Sequence, residues 1–249
     1  FAFELYDTFG FPIDLTELLA LENEFHVDMP GFSEALLKQK ERSRAAGKIV
    51  ADDWKHIRED DVEEFVGYDR TEAEAFIVKY RKVLAKGKEM YQLVFHITPF
   101  YPEGGGQIGD TGYIETPFEK IEIVDTKKEN NLIIHYVDQL PEDYYTKFKA
   151  VVDTKARSLT ARNHTATHLL HQALREVLGT HVEQKGSLVN AEYLRFDFSH
   201  YEKVSDEKIA KIEELVNSRI KENLELNEYR AIPINEAEEK GAMMLFGEK

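Results

Sequence analysis

The spacing of apolar positions divides the 249-residue chain into three sections. From Phe1 to about Gly47 the spacing is helical. Pro12 suits the first turn of a helix, and Leu15, Leu18, Leu19 and Glu22 follow at three- and four-residue intervals. Ser33 is a candidate N-cap for a helix over 34–46, with Gly47 as its stop, and Lys38, Lys40, Arg42 and Arg44 give that stretch a basic side. From about Lys48 to Thr154 the period shortens. An acidic, less regular opening (50–68) leads into runs at 76–80, 90–98, 113–115, 120–124 and 132–137, rich in aromatic and β-branched residues and separated by turn residues. These predict antiparallel strands in a small barrel or curled sheet. From about Lys155 onward the pattern is mixed. A helix is expected over 158–178, with Ala166, Leu169, Leu170, Ala173, Leu174, Val177 and Leu178 on its apolar face and Gly179 at its end. Residues 193–198 alternate as a strand. A second helix starts near Ser205 with Ile209, Ile212, Leu215, Val216 and Ile220 as its core, and 228–234 reads as another strand.

The expected class is therefore α+β. A helical segment (1–47) precedes a β-rich, barrel-like part (48–154) and an α/β core (155–249). No apolar run approaches the ~20 residues of a membrane span, and no signal peptide is visible. The chain opens at Phe1 within an apolar pattern, which reads as a cut from a longer polypeptide. With no cysteine, disulfides are excluded and a reducing cytoplasm is the expected location. The net charge of −15 argues against a general nucleic-acid binder, because phosphate contacts need local cations. A small basic or polar patch could still dock the tip of an RNA.

Two histidines carry the sharpest chemical signal. In Asn163-His164-Thr165-Ala166-Thr167-His168 the imidazoles are four residues apart on the expected helix, close enough for one metal ion. They lie nearly opposite the apolar stripe, with His171 on the same polar side, so they are expected to face a cleft or solvent. The alternative is a chance surface pair among nine histidines. A zinc-protease pattern fails because Thr165 stands where Glu is needed. Zinc also requires more than two protein ligands. A second feature is Gly104-Gly105-Gly106-Gln107, which suits either close approach of a ligand to the backbone or a tight hairpin. It is not a P-loop, since no Gly-Lys-Ser/Thr follows. A third is Gln184-Lys185-Gly186-Ser187, in which Gln184 could orient a water or hydroxyl and Lys185 could meet a phosphate. Its alternative is a polar turn before a strand.

Together these segments resemble the alanyl-tRNA synthetase family. Residues 5–16 (LYDTFGFPIDLT) are similar to the end of that family's helical tRNA-recognition region. The glycine loop, the HxxxH element, residues 180–189 (THVEQKGSLV) and residues 194–200 (LRFDFSH) follow in the family's order and spacing. The resemblance covers essentially the whole chain. It implies an editing domain that hydrolyses Ser-tRNA-Ala and Gly-tRNA-Ala, with the HxxxH helix packed on an antiparallel sheet. The parent would be an alanine-tRNA ligase using ATP and magnesium, with its adenylate-forming site and oligomer contacts outside this chain. A pocket for alanine cannot strongly reject serine or glycine, which is why a second, hydrolytic site is required. By resemblance, His164 and His168 hold zinc together with a Cys and a His further along, beyond Lys249. This chain has no cysteine, so weak or absent zinc binding and impaired editing are expected of it. Gln184 and Thr167 carry over as substrate-positioning residues for catalysis. Gly105, Gly106, Gln107, Lys185 and Arg195 carry over as contacts for the aminoacylated 3′ end of tRNA-Ala. No membrane or DNA partner is implied.

Three alternatives remain. A free-standing trans-editing deacylase would lack the 7–16 segment. A threonyl-tRNA synthetase editing domain shares HxxxH but lacks both the 7–16 segment and the 104–107 loop. A non-catalytic RNA-binding module would be indifferent to replacement of His164 and His168.

Overall fold

The computed structural model describes residues 1–9, 11–46, 50–59, 63–85, 87–229 and 232–241. These form two compact units, residues 1–53 with 81–90, and residues 54–80 with 91–249.

In the first unit, α1 (Ala2–Phe9), α2 (Ile13–Glu22) and α3 (Met29–Ala46) are followed by β1 (Val50–Ala51), which pairs antiparallel with residues 83–84. Phe32 is the buried centre of the helical part, meeting Phe3 at 6.3 Å and Tyr6 at 5.5 Å between ring centroids. Pro12 stands at the N-cap of α2, as its missing N–H and fixed φ allow. Leu15, Leu18 and Leu19 are nonetheless exposed, so their helical spacing does not make them core. Helix α3 begins earlier than Ser33. The Asp28 carboxylate accepts from the Gly31 N–H at 2.9 Å and caps the turn that Ser33 was expected to start. The expected stop at Gly47 lies outside the described residues, as do the side chains of Lys40, Arg42 and Arg44.

Period-two alternation shapes the strands that follow β1. They are β2 (Lys55–His56), β3 (Glu64–Phe65), β4 (Glu72–Ala85), β5 (Lys88–Phe95), β6 (Ile97–Thr98), β7 (Gly112–Glu115), β8 (Lys120–Ile123), β9 (Asp125–Glu129), β10 (Leu132–Val137) and β11 (Lys147–Val152). The main sheet runs β8-β7-β11-β4-β5-β10-β9, with β1 and β2 on β4. β3 and β6 form a short parallel pair. The sheet curls: Val124, between β8 and β9, donates to the Tyr136 carbonyl of β10 at 2.9 Å. No ladder among the described strands joins β8 to β10, so the barrel-like part is a curled open sheet.

Its inner face carries Ile77, Leu93, Phe95, Phe100, Ile114, Ile121, Ile123, Val137, Phe148 and Val152, all essentially buried. β11 was absent from the sequence expectation, although Phe148, Ala150 and Val152 alternate cleanly inward. Its outward Lys147 and Lys149 meet Glu74 at 2.6 Å and Glu72 at 2.8 Å on β4. β9 is mostly charged, and its register with β10 rather than its composition makes it a strand. His135 lies inside this core, with Nε2 2.8 Å from the Thr98 hydroxyl and Nδ1 3.2 Å from the Leu93 carbonyl. Burial pushes its pKa down to about 3.

α4 spans Thr154–Leu178, one turn longer than expected, because Asp153 caps it by accepting from the N–H groups of Lys155 and Ala156. The hairpin of β12 (Gln184–Val189) and β13 (Leu194–Phe198) packs on it, as does α5 (Asp206–Glu222), capped by Ser205. Ala173, Leu174, Leu178, Val182 and Ile212 form this second core with Phe196 and Phe198 against them. Two expected core positions, Ile209 and Ile220, are exposed, since the helix meets its neighbours only along the stripe centred on Ile212. Residues 228–229 and 232–233 are not strand, and α6 (Ile234–Glu239) starts where that strand was expected to end. No helix among the described residues is long and apolar enough to cross a membrane.

Candidate functional site

The glycine loop forms the tight turn that its sequence allowed. Gly104 and Gln107 exchange backbone hydrogen bonds at 3.0 and 2.9 Å. Gly105 and Gly106, at φ 58° and 80°, make the tight turn between them, a left-handed pair that L-residues resist. The turn then lies along β12: Val189 N–H donates to the Gly106 carbonyl at 2.8 Å and Ile108 N–H donates to the Val189 carbonyl at 3.1 Å. A Cβ on Gly106 would stand 2.0 Å from Ser187 Oγ, whereas one on Gly105 would meet nothing. Gly106 is thus a packing requirement, and Gly105 leaves an open approach to the backbone.

Helix α4 brings the histidines to this turn. His164 Nδ1 lies 2.7 Å from Gln107 Oε1. The His164 and His168 rings stack at 5.1 Å with only 10° between their planes. His164 is half-buried and His168 exposed. Burial, and then the neighbouring His168, hold the His164 pKa below the ordinary imidazole value, so its neutral form is favoured. Asn163 ties the same turn of α4 to the end of β12, donating from Nδ2 to the Asn190 carbonyl at 2.8 Å.

From Gln107 the contacts continue through Gly106 to Ser187, and from Ser187 to Gln184, whose Nε2 donates to Ser187 Oγ at 3.0 Å. The Gln184–Ser187 segment is a strand, and the polar-turn alternative for it falls away. Thr167 is buried one turn from His164 and donates its hydroxyl to the Asn163 carbonyl at 2.8 Å. Its remaining polar capacity is therefore as an acceptor. His164, His168, Gly106, Gln107 and Gln184 form one continuous cluster, with Thr167 beside it.

Lys185 and Arg195 do not join that cluster. Arg195 alternates with Phe196, which packs toward α4, so it points off the other face of the hairpin. Both cations are exposed and paired, Lys185 with Glu183 at 2.8 Å and Arg195 with Asp197 at 3.0 Å. His171 departs from the expectation of a cleft or solvent position. It is 3% exposed, beside the Phe196 ring at 5.1 Å, because the hairpin covers that flank of α4.

The structure also supplies an anchor that sequence reasoning missed. Arg157, in the first turn of α4, holds the Asp110 carboxylate at the base of the glycine loop. Its Nε lies 2.8 and 2.9 Å from the two oxygens, and Nη2 also pairs with Oδ2. The other guanidinium hydrogens reach the Gly67 carbonyl at 2.8 Å and the Pro99 carbonyl at 3.0 Å. Asp110 also accepts from the Tyr101 N–H at 2.7 Å. The two residues are 47 positions apart, and no local spacing announces them. On the far side of the loop, Gly104 and Gly105 line a cleft of about 380 Å³ with Phe65, Tyr68, Tyr101 and Lys128.

Two imidazoles with parallel rings, one turn apart and supported by a buried amide, suit part of a zinc site. No group of three or more His, Asp or Glu side chains among the described residues is placed to hold a metal ion, so any further ligands come from elsewhere.

A family model described as tRNA synthetases class II (A) matches residues 1–156, and the chain belongs to that family. Over its whole length it is 57% identical to the alanine–tRNA ligase of Christiangramia forsetii, 56% to that of Bacteroides thetaiotaomicron and 54% to that of Flavobacterium psychrophilum. It spans 28–29% of the length of these relatives.

Proposed function

We propose that this chain carries the editing region of an alanine–tRNA ligase, which clears serine and glycine wrongly esterified to tRNA-Ala. One observation carries the reading: the unbroken run of contacts from His168 through His164, Gln107, Gly106 and Ser187 to Gln184. It unites three of the segments on which the resemblance was drawn.

An aminoacyl ester is already activated. Water adds to the carbonyl carbon, the ribose oxygen leaves with a proton, and free amino acid and tRNA separate. No covalent nucleophile is required. Gln184 keeps its carbonyl oxygen to accept from the serine hydroxyl or the substrate ammonium while its Nε2 is steadied by Ser187. Thr167 offers an acceptor oxygen from a buried, fixed position. Gly105 lets the RNA end come against the backbone. The aromatic cleft beyond it suits stacking of a terminal base. Lys185 and Arg195 lie outside the cluster, where they serve as phosphate contacts. His164 and His168 would hold zinc together with ligands from outside this chain, and that ion would supply a Lewis acid for the ester. In the whole polypeptide the ligase reaction uses ATP and magnesium, in the cytoplasm, with oligomer contacts outside this chain.

The test is hydrolysis of Ser-tRNA-Ala by the full-length polypeptide and its variants. Replacing His164 and His168 together, or Gln184 alone, should leave alanine attachment intact and let Ser-tRNA-Ala accumulate. Unchanged serine clearance in either variant removes the assigned role.

A further inference from the structure

Gln107 was carried over as a contact for the RNA end, but its surroundings point it inward. Its backbone N–H and carbonyl are both taken by Gly104, at 2.9 and 3.0 Å. The residues before and after it are bonded to Val189 of β12. The residue is 6% exposed, and Oε1 lies 2.7 Å from His164 Nδ1. A side chain fixed at both ends is better suited to govern an imidazole than to adapt to a substrate.

An amide oxygen only accepts hydrogen bonds, so this contact requires the hydrogen on Nδ1. A neutral imidazole protonated on Nδ1 carries its lone pair on Nε2. We propose that Gln107 is a positioning residue that fixes His164 in the Nδ1–H tautomer. It also keeps the His164 ring parallel to His168, so that Nε2 is the atom offered to a metal ion. The metal part of this inference rests on the reading of His164 and His168 as zinc ligands; the tautomer part does not. The two glycines before Gln107 gain a purpose. Their left-handed turn, packed directly on Ser187, leads the chain into the position from which this amide meets helix α4. Groups that accept from a ligating histidine typically change metal affinity 10–100-fold when removed.

The experiment is side-chain ¹⁵N NMR of the metal-free 249-residue chain with labelled histidine, the His164 signals being assigned by their loss in His164→Asn. The wild-type chain should show a protonated Nδ1 and an unprotonated Nε2 at His164. Gln107→Met, similar in size but without an acceptor, should release the ring to a mixture rich in the Nε2–H form. Gln107→Glu, which keeps an acceptor, should retain the Nδ1–H form. In the full-length polypeptide, zinc affinity should fall roughly 10–100-fold in Gln107→Met and stay within a few-fold in Gln107→Glu. If Gln107→Met does not fold, the wild-type tautomer and the Gln107→Glu result still decide the matter. A wild-type Nε2–H tautomer, or a Gln107→Met spectrum like the wild type, overturns the proposal. Failure of the full-length polypeptide to bind zinc, with the Nδ1–H form intact, instead overturns the metal reading and leaves Gln107 as the residue that sets the ring.

Discussion

Replacing Arg157 with methionine should be among the most damaging single changes outside the apolar core. The side chain is only 17% exposed and its partner Asp110 only 7%. Methionine fills much of the same space but removes every donor. Asp110 keeps the Tyr101 N–H and loses its counter-charge, while the carbonyls of Gly67 and Pro99 lose their partner. Leaving one member of a buried pair uncompensated costs about 3–5 kcal/mol. At roughly 2–4 °C per kcal/mol for a chain of this size, the melting temperature should drop by about 6–20 °C. Equilibrium urea unfolding followed by circular dichroism measures the free energy directly. The double variant Asp110→Leu/Arg157→Met separates the pair from its surroundings. With no stranded carboxylate, it should be less destabilised than the sum of the two single changes by 1 kcal/mol or more. Losses below about 1 kcal/mol for Arg157→Met, or strict additivity in the double variant, would refute the argument that this pair anchors the glycine loop to helix α4.

The glycine turn offers a paired comparison. Gly105→Ala should cost only the left-handed backbone strain, about 1–2 kcal/mol, whereas Gly106→Ala should cost clearly more, because its Cβ must displace Ser187. Equal melting temperatures for the two would count against the packing role of Gly106. His135 predicts an acid limb in stability. Above pH 6.5 the imidazole is neutral in folded and unfolded chains alike. Below that value the unfolded chain takes up a proton that the folded one refuses until about pH 3. Stability should therefore fall by about 1.4 kcal/mol per pH unit over that window from this group alone. Between pH 7 and 5, urea unfolding of the wild type should lose about 2 kcal/mol more than His135→Gln, and parallel losses would show that the buried imidazole is not the cause.

Much of this protein can be read along the chain. Amphipathic spacing marks α4 and α5, and alternation marks the strands whose inward residues form the β core, because one-sided burial imposes a period on the sequence. His164 and His168 can be paired in advance, since a helix fixes which side chains share a face. What spacing cannot supply is the third dimension. β9 is a strand because β10 lies beside it, although its residues are mostly charged. His171 shares the polar side of α4 in sequence, yet the β12–β13 hairpin folds over it and buries it. Ser33 has the chemistry of a cap, and Asp28 performs the task. Above all, tertiary packing alone decides that Gln107 meets His164 across 57 residues, and that Asp110 meets Arg157 across 47. Hydrogen bonds and ion pairs of that reach leave no periodic trace, because they depend on where two elements cross, while sequence patterns record only which face of each element is covered.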